Sequence, residues 1–225
     1  MTTMVSSLEL IRRVPLFSML TASQAESVAE AVVKFRFKRG ESIVEQGKKS
    51  NALSIILTGR ARVVTTDSRG REVILATMQA GDHIGEMSLI DNEPHSATVR
   101  AEIQTDVLVL GRQEFARCLP ENSSMAYALM RGLVHRLRQA DRKIESLALM
   151  DVYGRVARAL LEFAVADADG HAVIRDKVSR QDLAKMVGAS REMVSRVMKD
   201  LEDRGYIETR SDGSMVVKEH LNSLE

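Results

Sequence analysis

The sequence predicts an α+β chain: a β-rich N-terminal half, one long helix, and a C-terminal half built on two short helices and a hairpin. Three observations carry this. From 35 to about 110, short β-branched runs are broken by Gly40, Gly47, Gly59, Gly70 and Gly81, at intervals of 7 to 12 residues. From 121 to 149, apolar or small residues recur at alternating spacings of 4 and 3. From 178 onward, VSRQDLAKMVGASREMVSRVMKDLEDRGYIE sets two amphipathic segments around a glycine.

The first helix is expected after Thr21, which can cap a segment whose apolar face includes Ala25, Val28, Ala29 and Val32. Strands are expected at Ser54 to Leu57, Ala61 to Thr65 and Glu72 to Thr77, with DSRG as a hairpin turn. HSATVRAEIQTDVLVLG adds two more. Many short strands at this spacing indicate a sandwich, roll or barrel. A short helix over 112–120 ends near Pro120.

The long helix follows, with a row at Ala126, Met130, Leu133, Leu137, Ala140, Ile144 and Leu147. Three heptads of so narrow a stripe suit pairing with a second copy of the chain. Helix-forming residues continue from Asp151 to Ala166, and DADG closes that element. A hinge is expected between Leu149 and Asp151.

Ser179 and Ser190 are placed to cap the two short helices, and Gly188 permits the turn between them. Leu183, Ala184 and Val187 face inward from the first, and Val194, Val197, Met198 and Leu201 from the second. Arg191, Glu192, Ser195, Arg196 and Lys199 face outward. DRGYIETRSDGSMVV then alternates as a two-stranded wing, with Tyr206 and Ile207 packed on the helices. This is a winged helix-turn-helix.

Arginine can grip guanine O6 and N7 with two bonds, and glutamate can accept from cytosine N4. Arg191, Glu192 and Arg196 are therefore candidate base readers of double-stranded DNA. Ser179, Arg180, Ser195 and Lys199 are candidate phosphate or accessory contacts. The net charge is only +1, but the window 175–199 holds seven basic residues against three acidic ones. A DNA-facing surface needs that local excess, not a basic total.

Composition excludes several classes. At 44% hydrophobic and 28% charged residues, 225 residues make one large domain or two moderate ones. Apolar runs are too short to span a bilayer, and MTTMVSSLELIRR lacks the apolar core of a signal peptide. Cytoplasmic residence without a membrane partner is expected. The single Cys118 excludes an internal disulfide and an all-cysteine iron–sulfur or zinc site within one chain; an inert thiol is expected, and no metal. No P-loop, Gly-x-Ser-x-Gly or HExxH marks an enzyme.

PLF, GESIVEQG, ILTGRARV, GDHIGEMSLI, LALMDVYGRVARALL and SRQDLAKMVGASREMVSRVMKDLEDRGYI occur in one order. In that order they resemble the bacterial transcription regulators that include the cyclic AMP receptor protein and the fumarate–nitrate reduction regulator. The resemblance implies a cyclic-nucleotide-binding-like β-roll over 1–120, a dimerisation helix over 121–149 and a winged helix-turn-helix over 150–225. It further implies a homodimer, pseudo-palindromic sites with TGTGA-like halves, and RNA polymerase as a partner.

The effector residues depart from the family pattern. The family's Gly-Glu pair, which meets the ribose of cyclic AMP, matches Gly85 and Glu86. Its Arg-Ser pair, which holds the cyclic phosphate, reads His95 and Ser96. Its base-contacting Thr-Ser pair on the long helix reads Ala140 and Asp141. Arginine is always charged and forked, whereas neutral histidine offers a single donor. Conventional cyclic AMP binding is therefore not expected. Three readings stay open: another nucleotide, with cyclic di-GMP preferred; DNA competence without a ligand; or an unrelated small molecule. For cyclic di-GMP, the arginines Arg60, Arg62, Arg100, Arg136 and Arg138 are candidate phosphate partners. A nucleotide-binding interaction module without DNA activity is the other functional class, and the winged helix argues against it.

Overall fold

A computed structural model describes residues 8, 11, 14–17, 20–118, 123–167, 171–176, 178–210, 212–218 and 221. Pro120, part of DADG, Lys177, Ser211 and the Cys118 side chain lie outside the described residues. The chain forms two compact units, Met1–Leu137 and Arg138–Glu225, so the division falls within the long helix.

In the first unit, Thr21 caps α1 (Ala22–Ala31) in a reciprocal box with Gln24. Ala25 and Val28 are its buried face. Eight strands follow: β1 (Val32–Phe37), β2 (Ser42–Val44), β3 (Ala52–Thr58), β4 (Arg60–Thr66), β5 (Glu72–Gln79), β6 (His83–Ile84), β7 (Thr98–Ala101) and β8 (Thr105–Gly111). They make two antiparallel four-stranded sheets, in the orders β1-β8-β3-β6 and β2-β7-β4-β5. Of the sandwich, roll or barrel that the strand spacing indicates, this is the roll that the family resemblance implies.

Strands β3 and β8 are buried on both faces, as their near-continuous apolar sequences require. Ile56 and Val107 point between the sheets, where Ala61, Met78, Ile84 and Val99 meet them. On the other face, Leu53, Ile55, Leu108 and Leu110 pack with Val28, Phe115, Met125 and Leu129 from helices. That second cluster seats α3 (Arg112–Cys118) and the start of α4 (Ser123–Leu149) on the roll. At 27 residues, α4 is roughly 40 Å long. A six-residue helix, α2 (Glu86–Asp91), interrupts the roll between β6 and β7.

The second unit holds α5 (Val152–Phe163), β9 (Val165–Ala166), β10 (Ala172–Ile174), α6 (Arg180–Val187), α7 (Arg191–Asp203), β11 (Ile207–Thr209) and β12 (Met215–Val217). Asp151 caps α5 by accepting from the Gly154 N–H. The helix ends at Phe163, three residues before the expected Ala166, because Val165 and Ala166 pair with β10 as strand. The wing hairpin β11–β12 continues into a four-stranded sheet, β11-β12-β10-β9. Val156, Leu160, Leu183, Val194, Met198, Leu201 and Ile207 form its core with the helices. No helix among the described residues is long and apolar enough to cross a membrane.

Candidate functional site: a nucleotide-type pocket and a DNA-reading surface

The pocket lies in the first unit, where α2 leaves the roll. Gly85 precedes α2 with φ 92°, a left-handed conformation that suits glycine, and a Cβ there would lie 2.9 Å from Ala52 O. This tight turn places Glu86 at the first position of α2, where it is 1% exposed. Its Oε1 accepts from Arg136 of α4 at 2.6 Å. Arg136 also donates to the carbonyl of His83. Glu86 Oε2 has no partner among the described residues. Burial pushes the Glu86 carboxyl up, against the pull of Arg136.

His95 is also buried and lines the same cavity. Its Nδ1 shares a hydrogen bond with Ser88 Oγ at 3.1 Å, and its Nε2 has no partner among the described residues. Burial lowers its pKa, so the ring is neutral at pH 7. Gly85, Glu86, His95 and Ser96 therefore converge on one cavity, with Asp91 and Glu93 on its acidic side. Val44, Val63, Met78 and Ile84 form its apolar wall. Ala140 and Asp141 are not among the lining residues; both are exposed on the part of α4 that belongs to the second unit.

Among the described residues that line the pocket, the guanidinium is that of Arg136, already bound to Glu86, and His95, next to Ser96 in the chain, presents a neutral imidazole. Of the arginines expected to meet the phosphates of cyclic di-GMP, three besides Arg136 are also engaged in ion pairs. Arg60 and Arg62 pair with Glu102, and Arg100 pairs with Glu72. Arg138 is exposed.

Sequence reasoning missed the supports of this pocket. Arg112 donates to the carbonyls of Ser88 and Leu89 at the end of α2. Gly132 leaves room on α4 for the buried ring of His83, whose Cε1 lies only 2.4 Å from where a Cβ would stand. A lone glycine in a long helix was the available signal for the second; nothing in the sequence marks Arg112.

On α4, Met130, Leu137, Ile144 and Leu147 of the expected row are exposed, at 55%, 62%, 64% and 49%. Tyr127 and Val134 join them. Ala126 and Leu133 are half-buried, and Ala140 is exposed. The exposed apolar row is thus turned slightly from the sequence reading, because neighbouring Met125 and Leu129 are drawn into the roll core.

In the second unit, Ser179 accepts from the Asp182 N–H and Ser190 from the Met193 N–H, capping α6 and α7. Gly188 turns the chain at φ 65°. Leu147 lies against this turn, with Cδ2 3.5 Å from where a Gly188 Cβ would stand. Val194, Met198 and Leu201 are fully buried, which forces Arg191, Glu192, Ser195, Arg196 and Lys199 outward, and all five are exposed. Ser179 is exposed and Arg180 half-buried. The amide of Glu192 itself, then the Ser190 hydroxyl, hold the Glu192 carboxyl below its usual range, so it is an acceptor at neutral pH.

A cyclic nucleotide-binding domain family matches residues 34–122, and a Crp-like helix-turn-helix domain matches residues 154–223. The cAMP-activated global transcriptional regulator Vfr of Pseudomonas aeruginosa is 34% identical over 191 residues, covering 81% of this chain and 87% of that one. The cAMP-activated global transcriptional regulator CRP of Salmonella typhimurium is 32% identical over 178 residues, covering 76% and 83%. The solved structure of the c-di-GMP responsive global regulator CLP of Xanthomonas campestris superposes with a TM-score of 0.75 at 25% identity, covering 88% of this chain and 98% of that one. With the roll, the long helix and the reading head in place, this chain belongs to the CRP/FNR family of homodimeric, DNA-binding transcriptional regulators.

Proposed function

We propose that the homodimer reads a pseudo-palindromic operator with TGTGA-like half-sites, and that cyclic di-GMP rather than cyclic AMP controls it. Arg191 and Arg196 grip guanines, and Glu192 accepts from a cytosine. Ser179, Arg180, Ser195 and Lys199 contact phosphates or support the readers. The carrying observation is the exposed row Arg191, Glu192, Ser195, Arg196 and Lys199 on a capped helix whose opposite face is fully buried. Two α7 helices enter successive major grooves about 34–36 Å apart, with α4 as the dimer seam. The molecule acts in the cytoplasm with RNA polymerase as a further partner.

The effector reading rests on the pocket. A neutral His95 and an ion-paired Arg136 disfavour a cyclic phosphate in the family's usual place. Glu86, Asp91 and Glu93 suit the donor edge of guanine, whose ring and exocyclic N–H groups seek carboxylates. The likeness to a regulator described as c-di-GMP responsive supports the same choice. An effector controls the dimer only by favouring its DNA-competent state.

Calorimetry with cyclic AMP, cyclic GMP and cyclic di-GMP, each followed by operator DNA, tests this. Binding of cyclic di-GMP with a changed operator affinity is expected. Tight operator binding with no heat from any nucleotide would replace effector control by ligand-free DNA competence.

A further inference from the structure

Helix α2 is too short to hold itself in place. Six residues close only a turn and a half, and most of the backbone groups at its ends lack intrahelical partners. Its N-terminal residue Glu86 lines the cavity, and so does Ser88, whose Oγ orients His95. Something outside the helix must therefore fix its position.

Arg112 does this from the junction of β8 and α3. Its backbone N–H is bound to Asn51 O at 2.7 Å. Three residues on, Phe115 is buried among Leu53, Leu110, Met125 and Leu129. From this anchored base the guanidinium reaches the C-terminal end of α2. Nη2 donates to Ser88 O at 2.9 Å and to Asn92 Oδ1 at 3.4 Å, and Nη1 donates to Leu89 O at 3.2 Å. Asn92 itself is left-handed, at φ 61°. A cation at a helix C-terminus is favourable, and this one also takes two carbonyls the short helix cannot satisfy.

We propose that Arg112 is a positioning residue of the effector pocket: by clamping the C-terminal end of α2, it holds Glu86 and the Ser88–His95 pair in binding geometry. The proposal rests on the reading of this cavity as the effector site. Arg112 does not line the cavity and touches no ligand there.

Hydrogen exchange of the effector-free dimer tests it without a ligand. In Arg112→Met, which keeps the apolar stem, the amides of Leu89 to Asp91 exchange roughly ten- to a hundredfold faster, while those of β3 and β8 keep their protection. Arg112→Lys, which keeps the charge at the helix end, recovers part of the loss. Unchanged exchange in α2, or a uniform rise across the roll, overturns the proposal. Calorimetry with cyclic di-GMP is the second arm. Its affinity falls about tenfold in Arg112→Met with operator affinity of the effector-free dimer unchanged, as expected where a clamp preorganises a site. If the unaltered protein gives no heat with cyclic di-GMP, the effector reading fails while the exchange arm still decides the clamp.

Discussion

Glu86 and Arg136 meet at 2.6 Å and join the start of α2 to the long helix. The Glu86 side chain is 1% exposed and that of Arg136 is 34% exposed. Removing the guanidinium leaves a buried carboxylate without its counter-ion. Breaking a buried pair costs about 3–5 kcal/mol, and the partial exposure of Arg136 reduces this to about 2–3 kcal/mol for Arg136→Met. Urea denaturation followed by circular dichroism measures it. Adding Glu86→Gln to the same variant restores most of the stability, because the uncompensated charge is then gone.

Gly132→Ala sets two effects against each other. Alanine is the better helix former, by about 1 kcal/mol. The added methyl, however, stands 2.4 Å from His83 Cε1 and 3.0 Å from Nε2, and that ring is 7% exposed with little space to retreat. Overpacking wins, and a net loss of about 1–2 kcal/mol is expected in the same denaturation experiment.

His83 makes stability depend on pH. Burial first, then the charge of Arg136, lowers its pKa from 6.5 to about 4. The unfolded chain therefore takes the proton before the folded one does. The stabilising difference is complete above pH 6.5 and is lost as pH falls through this window to about 4. Its full size is about 3 kcal/mol. Glu86 works with the opposite sign, since a raised folded pKa adds stability as pH falls. Denaturation of the unaltered protein and His83→Phe at pH 7 and pH 5 separates them. The variant loses less stability on acidification.

Much of this fold was legible because local signals agreed. Thr21, Ser179 and Ser190 each sit before an amphipathic run, and each caps its helix as read. The outward face of α7 followed directly from Val194, Met198 and Leu201 facing in. The limit lay in contacts between residues distant in sequence. Arg136 pairs with Glu86 across fifty positions, and Arg112 reaches Ser88 across twenty-four. Neither spacing follows any period. The end of α5 was misplaced because Val165 and Ala166 are recruited by β10, a pairing that helix propensity does not register.

The dimer seam is tested at two of its exposed members. Leu137 and Ile144 are 62% and 64% exposed on α4, two turns apart on the same apolar row. Leu137→Glu or Ile144→Glu puts a charge in that row and opposes its copy in the second chain. Sedimentation should find monomer where the unaltered protein is dimer, with operator affinity down by about a hundredfold or more because two half-sites no longer bind together. The circular dichroism spectrum should be retained, since neither side chain supports the core of its own chain.

Base reading by Arg191 and Arg196 is decided by operator binding of Arg196→Ala across single-base-substituted half-sites. Affinity for the preferred site falls by about 1–3 kcal/mol, discrimination is lost at one guanine, and the other positions keep theirs. An equal loss on every sequence, with discrimination intact at all positions, would contradict it and reduce Arg196 to a phosphate contact.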